Sequence, residues 1–458
     1  MTDDLRARLA DLLPGLRRDL EDLVRIESVS ADPARAGEVQ RSAEAVRDLF
    51  AAEGFEAQVL SAAGGAPAVV ARKRSPHADA RTVLLYAHHD VQPENDHTEW
   101  DSPPFEPTER DGRLYGRGAA DDKAGIVAHL GAAQLFGDDL PVHLTVFVEG
   151  EEEVGSESLV PFLAEHRDVL EADVIVIADS TNWDVGVPAL TTSLRGLVRA
   201  TVEVRTLTHG VHSGMWGGLV PDALIALSRL LASLHDDAGN VAVAGLHSGR
   251  AADVDYPDAR LRAESGANPG VQWIGSGTTV ERLWTKPSLS VIGLDAPQVD
   301  GSSNTLVPAA QARLSMRIAP GDTTDNAVAR LSEHCEQHTP WGAQLTFTVV
   351  DTGEATSIDA TGPAYDAARA AFAEAWDGTE PIDMGVGGSI PFIAEFVKAF
   401  PGASVLVTGV EDPDTRAHGA NEGLHLAEYE RVLLAEALLL AKLGADPRSD
   451  AGERLPTA

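Results

Sequence analysis

The sequence predicts an α/β protein with a mostly parallel sheet flanked by helices and an inserted α+β domain. Three observations predict this fold: four short apolar runs rich in Val and Ile, helical patterns such as AGIVAHLGAAQLF between them, and a different strand pattern between the third and fourth runs. With 458 residues, 43% of them hydrophobic, the chain is long enough for two domains.

Each of the four apolar runs ends in residues that can bind a metal ion. The runs and their followers are TVLLYA before His88, VHLTVFV before the glutamates at 149–153, DVIVIA before Asp179, and ASVLVTGV before Glu411 and His418. Runs of this kind are typical of strands buried on both faces. Because ligands gather at the carboxyl ends of such strands, we expect these residues to share one site.

The inserted domain is predicted from a change of pattern after the third run. Strand-like segments alternate there with two helix-like ones, DALIALSRLLASLH and TTDNAVARLSEHCEQH, and one strand alternates strictly through Ala312, Leu314, Met316 and Ile318. This order predicts a ferredoxin-like α+β unit. We place the first part of the main domain at 1–193, the insert at 194–353 and the second part at 354–458.

Composition narrows the possible functions. The net charge of −35 argues against binding to nucleic acid or to an anionic membrane, since the field of the protein would repel both. No apolar run approaches about 18 residues, and the amino terminus is typical of an amphipathic helix rather than a signal peptide. The one cysteine, Cys335, cannot form an internal disulfide. We therefore expect a soluble cytoplasmic protein.

The glutamate cluster EGEEEVGS needs a compensating charge, because buried carboxylates repel one another. Divalent cations would supply it, and Zn²⁺ accepts both imidazole and carboxylate ligands. Candidate donors near strand ends or in the Gly-rich loop LYGRGAADDKAG are His88, Asp121, Glu153, Asp179 and His418. Five donors can serve two ions that share one carboxylate, which leaves Glu152 free to act as a base.

Seven motifs in a fixed order resemble one known superfamily. They are YAHHDVQP, LYGRGAADDKAG, EGEEEVGS, VIVIADS, GVHSGMWGG, GGSIP and RAHGANE. Together they resemble the di-zinc peptidases and amidohydrolases that include carnosinase, aminoacylase, carboxypeptidase G and succinyl-diaminopimelate desuccinylase. The resemblance covers essentially the whole chain and is closest to the carnosinase-like dipeptidases, which share YxHxDVQP, WDSPPFEP and a long insert. It implies a zinc exopeptidase-like catalytic domain and an insert that serves as lid and dimerisation domain.

The resemblance also implies a metal centre. In that centre His88, Asp121, Glu153, Asp179 and His418 hold two Zn²⁺ per subunit, with Asp121 between them; Mn²⁺ or Co²⁺ would suit the same donors. Asp90 would orient His88 through its second ring nitrogen. Glu152 would be the general base for a hydroxide that bridges the two ions, and would pass the proton to the leaving amine.

For substrate binding, the resemblance implies a homodimer formed through the insert, in which His212 reaches the partner subunit's active site and stabilises the oxyanion. Arg317 would bind a free substrate carboxylate. Gly388 and Ser389 would add hydrogen-bond donors, and Thr305 a further contact. The expected reaction is hydrolysis of small peptides with a free C-terminal carboxylate.

Several alternatives stay open at this stage. Asp121 could cap the helix that begins near Lys123, Arg317 could make a surface ion pair, and His418 could lie in an ordinary surface loop. Carnosinase-like members carry an Arg and an acid just before GGSIP, where this chain has Gly385 and Val386. The floor of the substrate pocket could therefore be less polar, which leaves the preferred substrate side chain open. Independently of this departure, the substrate could be an N-acyl or N-succinyl amino acid, or the protein could bind peptides without catalysis.

Overall fold

A computed structural model describes residues 2–250, 254–388 and 391–445. Contacts divide it into two compact units. The first comprises the described residues of Met1–Thr191, Asp359–Met384 and Glu395–Ala458, and the second those of Thr192–Ile358 and Gly385–Ala394. The longer segment of the second unit begins two residues before the predicted insert and ends five residues after it.

The helices in the described ranges are α1 (Thr2–Val24), α2 (Ala36–Ala52), α3 (Lys123–Phe136), α4 (Leu159–Glu165), α5 (Arg167–Leu170), α6 (Ser213–Trp216), α7 (Ala223–Ser233), α8 (Asp258–Ser265), α9 (Thr324–His338), α10 (Pro363–Ala375), α11 (Pro391–Ala399) and α12 (Leu426–Ala445). Among them, none has the length and apolar character needed to cross a membrane.

The strands of the same ranges are β1 (Glu56–Leu60), β2 (Ala68–Lys73), β3 (Thr82–His88), β4 (Thr108–Arg110), β5 (Arg113–Tyr115), β6 (His143–Glu149), β7 (Val174–Ile177), β8 (Ala189–Leu194), β9 (Gly196–Arg205), β10 (Val211–His212), β11 (Ser288–Asp295), β12 (Thr305–Leu306), β13 (Ala309–Ile318), β14 (Gln344–Gly353), β15 (Thr356–Ser357), β16 (Ile382–Val386), β17 (Ser404–Val407) and β18 (Gly423–His425).

The core of the first unit is a parallel sheet. Strands β6, β3, β7 and β17 lie side by side in that order and all run parallel, whereas β2 and β8 flank them antiparallel. These four strands are the four apolar runs of the sequence. The α/β class with a mostly parallel sheet is therefore confirmed.

Helix α3 is apolar on all sides because the protein encloses it. It spans 14 residues, and nearly all of its side chains are buried because it packs against α1, α12 and β3. A helix that is apolar on all sides is typical of such an enclosed position. It begins directly after the loop that carries Asp121.

The second unit has the ferredoxin-like order βαββαβ. Its four-stranded sheet runs β11, β13, β9, β14, with every neighbouring pair antiparallel. Helices α7 and α9 cover one face, and the predicted alternation of β13 places Ala312, Leu314, Met316 and Ile318 in that core. The other face carries the partly exposed side chains of the same strands.

Candidate metal centre

The carboxyl ends of the parallel strands bring the predicted metal ligands together. His88 is the last residue of β3, Asp179 follows β7 by two residues, and Glu152 and Glu153 begin a 3-10 turn three residues after β6. His418 lies in the loop after β17. All these residues belong to the first unit, as the positions of the strand ends predict.

Asp121 lies between the two histidines. His88 Nε2 is 3.0 Å from Asp121 Oδ1, and His418 Nε2 is 3.0 Å from Asp121 Oδ2. His418 Nε2 is also 3.2 Å from Glu153 Oε2, while His88 Nε2 is 3.9 Å from Asp179 Oδ2. Each oxygen of Asp121 thus faces a different imidazole, which is the arrangement that a carboxylate shared by two ions requires.

Two sets of three donor atoms lie within 4.8 Å of one another: His88, Asp121 and Glu153, and His88, Glu152 and Asp179. Imidazole nitrogen with carboxylate oxygen is a donor set that Zn²⁺, Mn²⁺ and Co²⁺ all accept. The residues therefore fit divalent cations. The second set contains Glu152, for which the sequence predicted a role as base and not as ligand.

Asp90 supports both sides of the centre. Its backbone carbonyl lies 3.0 Å from His88 Nδ1, and its carboxylate Oδ1 lies 3.4 Å from the same nitrogen. The carboxylate also accepts hydrogen bonds from the backbone N–H groups of Glu152 and Glu153, at 3.2 and 3.1 Å. Asp90 thus holds the glutamate turn as well as the ring of His88.

The pKa values of Glu152, Glu153 and Asp179 are raised, whereas that of Asp121 is lowered, because against the effect of burial it accepts hydrogen bonds from His418 and His88. Burial raises the pKa of Asp179 to about 7, with Asp121 and Glu153 adding to the shift against an opposing effect of His88. Burial and then Asp179 raise the pKa of Glu152 well above its usual value. The pKa of His418 is raised to about 11, because Asp121 and Glu153 both accept hydrogen bonds from its ring. The centre therefore has an excess of negative charge that favours cations.

Sequence reasoning gave no role to Glu422, the last residue of RAHGANE. This buried carboxylate accepts four hydrogen bonds from the loop that leads to Asp121. The donors are the backbone N–H groups of Gly118, Ala120 and Asp121, at 3.0–3.1 Å, and Arg117 Nη1, at 2.7 Å. Arg117 Nη2 also donates to Gly419 O at 3.1 Å, next to His418. The ion pair of Arg117 and Glu422 therefore joins the loop of Asp121 to the loop of His418. In the sequence, the indication for this role was that Glu422 is an acidic residue within the motif RAHGANE.

Two alternatives for the ligands are settled by position. Helix α3 begins at Lys123 with Asp122 at its N-cap position, so the interpretation of Asp121 as a helix cap is wrong. His418 has a side chain that is 58% exposed, yet it contacts two buried carboxylates and is not an isolated loop histidine. Glu411, which follows the fourth apolar run, was not included among the five predicted ligands; burial, Asp121 and Asp179 raise its pKa well above the usual value.

The remaining predicted residues lie in the second unit, except that Ser389 falls outside the described residues. His212 on β10 is the cross-strand partner of Thr305 on β12. Its Nδ1 accepts a hydrogen bond from Gly214 N at 3.0 Å, so Nε2 carries the proton of the neutral ring. Arg317 is half-buried on β13 and makes no ion pair with the residues that the structure describes. Gly388 lies in the segment that follows β16.

Comparison with known proteins identifies the relatives of this chain. The sequence model of peptidase family M20/M25/M40 matches residues 84–442. The chain is 35% identical over 379 residues to the cysteinylglycine-S-conjugate dipeptidase of Corynebacterium striatum, covering 81% of this chain and 83% of that protein. It is 29% identical to the Beta-Ala-His dipeptidase of Rattus norvegicus over 81% of this chain and 79% of the relative.

Among solved structures, the dipeptidase Dug1p of Saccharomyces cerevisiae superposes with a TM-score of 0.78 at 23% identity, covering 98% of this chain and 99% of that one. At this identity the likeness bears on the fold, which the two chains share along nearly their full lengths.

Proposed function

Because the chain belongs to peptidase family M20/M25/M40, we propose that it is a metal-dependent dipeptidase that hydrolyses small peptides with a free C-terminal carboxylate. The observation that carries this proposal is the position of Glu152. One of its carboxylate oxygens lies within 4.8 Å of donor atoms of His88 and Asp179. A proton-transferring group therefore adjoins the atoms that would hold the cations.

The donors His88, Asp121, Glu153, Asp179 and His418 would hold two divalent cations, with Zn²⁺ as the first candidate. A bound cation supplies Lewis acidity: it polarises the peptide carbonyl and makes water acidic enough to be deprotonated near neutral pH. The protein contributes the positions of the donors. Asp90 and Glu422 fix the backbone on either side of the centre through the hydrogen bonds described above.

Glu152 is the residue that moves protons in this proposal. It takes a proton from the attacking water and later gives it to the nitrogen of the leaving amine. Burial and the neighbouring Asp179 raise its pKa, which brings the carboxyl toward the range in which it can both accept and release a proton. An amide in its place could do neither.

His212 would stabilise the oxyanion. Its Nδ1 accepts from Gly214 N, so the free Nε2–H is available as a donor. In this proposal it acts on the active site of a second copy, in a homodimer formed through the second unit. Edge strand β11 supports this, because it has one paired neighbour and exposes Val291, Ile292 and Leu294. The proposal includes the expected cytoplasmic location.

The test is hydrolysis of a panel of dipeptides by metal-stripped protein, with and without added Zn²⁺, Mn²⁺ or Co²⁺. We expect added metal to restore cleavage, and Glu152→Ala to remain inactive under the same conditions. N-acetyl and N-succinyl amino acids are tested in parallel. If metal binds and only these substrates are cut, the protein is a deacylase and the dipeptidase proposal is wrong.

The dimer is tested by mixing two inactive variants, His212→Ala and Glu152→Ala. Exchange of subunits should restore part of the activity, because one mixed site then contains both residues. Exchange is followed by native mass spectrometry of differently tagged subunits. Proven exchange without recovery would contradict action in trans.

A further inference from the structure

Arg195 is a buried cation with no carboxylate partner among the described residues. It lies between β8 and β9, and its exposed fraction is 8%. Its hydrogen bonds go to neutral oxygens: Nε donates to Gly387 O at 3.2 Å, and Nη1 donates to Ser288 Oγ at 3.1 Å and Lys286 O at 3.4 Å. A buried charge without a counter-ion is costly, so such a residue is usually paired or binds a charged ligand.

A second guanidinium lies beside it. Arg317 on β13 is the cross-strand partner of Ser288, the residue whose hydroxyl accepts from Arg195. Burial and Arg317 together lower the pKa of Arg195 to about 10, which leaves it charged at neutral pH. The described parts of the chain provide no acid for either of these two arginines. They form what we call the arginine pair.

Two other arginines of the same sheet do have acid partners. Arg199, on the same strand as Leu197, donates from Nε to both oxygens of Asp351 at 2.6 and 2.9 Å. Arg205 donates to Glu203. The chain as a whole has 71 acidic and 36 basic residues. Among the described residues the arginine pair therefore has no acid partner, although the chain is rich in acids.

The outer nitrogen of Arg195 is open to a ligand. Nη2 makes no hydrogen bond with a described residue, although Nε and Nη1 are both used. The absence of a side chain at Gly387 leaves space beside Nη2, since a Cβ built on Gly387 would lie 2.9 Å from that nitrogen. A side chain at position 387 would thus occupy the approach to the guanidinium.

We propose that Arg195 is a second substrate-binding arginine, which together with Arg317 receives the α-carboxylate of the peptide and makes the enzyme selective for a free C-terminus. The two guanidiniums have no counter-ion among the described residues. They carry the charge opposite to that of a carboxylate and offer the forked N–H donors that a carboxylate accepts. Ser288 and Gly387 hold the guanidinium of Arg195 in place. This inference rests on the proposed dipeptidase activity and assigns a residue that determines its specificity.

The test compares a dipeptide with its C-terminal amide on the metal-loaded, full-length enzyme. We expect Arg195→Gln to raise KM for the dipeptide about 10- to 100-fold, the usual effect of losing a charged hydrogen bond, with little change for the amide. Arg199→Gln is the matched control, since it removes an arginine of the same sheet that already has an acid partner. An equal loss on dipeptide and amide would overturn the inference.

Gly387→Ala serves as a second variant, because Arg195→Gln also removes three internal hydrogen bonds and could disturb folding. It keeps the guanidinium but obstructs Nη2. We expect it to raise KM for the dipeptide and not for the amide. Unchanged KM for both substrates in this variant, with the fold intact by circular dichroism, would count against an open donor at Nη2.

A binding measurement separates this inference from the proposed activity. N-acetylglycine and N-acetylglycinamide differ only in the terminal carboxylate. Calorimetry with both probes on metal-loaded protein that carries Glu152→Ala, alone and combined with the arginine changes below, reports anion recognition without turnover. Binding of the acid alone, weakened by Arg195→Gln but not by Arg199→Gln, supports the site even if no dipeptide is cleaved. Equal binding of both probes contradicts it even if dipeptides are cleaved.

Discussion

The first unit gathers carboxyls around two histidines, whereas the second unit holds the arginine pair with no acid beside it among its described residues. The acidic centre consists of Asp121, Glu152, Glu153 and Asp179 with His88 and His418. Burial raises the pKa of Asp179 in the first region and lowers that of Arg195 in the second. In both regions the low-dielectric surroundings disfavour the charged form.

A cluster of buried charges of one sign indicates the charge of the ligand that it binds. Some buried or partly buried cations of the first unit are matched internally: Arg117 donates to Glu422, and Arg113 donates to Asp412 through both of its terminal nitrogens. Within the described residues, neither the excess carboxyls of the acidic centre nor the arginine pair is matched in this way. The acidic centre suits cations, such as the metal ions of a metallopeptidase. The arginine pair suits an anion, such as the carboxylate of a peptide substrate.

The largest effect is expected at the acidic centre from Glu152→Gln. This change should lower kcat about 10²- to 10⁴-fold, because an amide cannot accept the proton of the attacking water. It removes little of the metal-binding capacity, so metal content measured by atomic absorption should stay close to that of the wild type. The readout is kcat at saturating dipeptide.

Glu151→Gln is the matched control for this prediction. Glu151 is the adjacent residue, and it accepts hydrogen bonds from Ser158 N at 2.6 Å and Ala66 N at 2.9 Å. Its role is thus structural, and turnover of the folded variant should stay near the wild-type value. Equal losses in the two variants would show that the turn as a whole, and not Glu152, had been disturbed.

Glu422→Gln should weaken metal binding about 10- to 100-fold, the usual effect of removing a group that orients a ligand. The physical reason is that Gln cannot accept all four hydrogen bonds that hold the Asp121 loop. Competition with a chromophoric chelator measures the affinity directly.

The control for Glu422 is Glu428→Gln in α12. Glu428 is also buried and accepts from Trp376 Nε1 at 2.8 Å and Arg431 Nη1 at 2.6 Å, but not from the ligand loops. The Glu428→Gln change should lower the free energy of unfolding without changing the affinity for metal. A similar loss of affinity in both variants would refute the positioning role.

The metal-free protein should lose stability as pH rises from about 5 to 6.5. The pKa of Asp179, about 7 in the folded chain, exceeds its ordinary value of 3.8. The folded state therefore binds more protons than the unfolded state in this window, and the free energy of unfolding falls by up to about 1.4 kcal/mol per pH unit for this group. His88 and His418, whose pKa values are raised, lose their contribution only above about 6.5.

Urea unfolding with a chelator at pH 5 and 6.5 measures this slope. Asp179→Asn should make the slope shallower, because the variant has no proton to lose at that position. An unchanged slope would mean that other carboxyls with a raised pKa, such as Glu149 at about 7, account for the whole dependence.

The smallest effect is expected from Arg199→Gln in the second unit. Arg199 and Asp351 have side chains that are 44% and 38% exposed, and such pairs contribute at most about 1 kcal/mol. Chemical denaturation should therefore give nearly the wild-type free energy of unfolding. A loss of several kcal/mol would show that paired and unpaired arginines of this sheet do not differ as the comparison requires.

Much of the fold followed from local patterns. The four apolar runs became β3, β6, β7 and β17, and the alternation of β13 placed its apolar side chains in the core of the second unit. A strand buried on one face has alternating apolar residues, and a strand buried on both faces has a short apolar run. These elements could therefore be predicted from the sequence. The segment Gly385–Ala394, which the prediction left in the main domain, belongs by its contacts to the second unit.

The kinds of donor, their order along the chain and their places after apolar strands could all be deduced from the sequence. Which buried charges have a partner of opposite charge became evident only in the folded chain. Glu422 meets Arg117 across 305 residues, and Arg195 meets neutral oxygens from two distant segments. The physical reason is that the cost of a buried charge depends on the atoms that folding places within a few ångströms, and no local period in a sequence encodes those atoms.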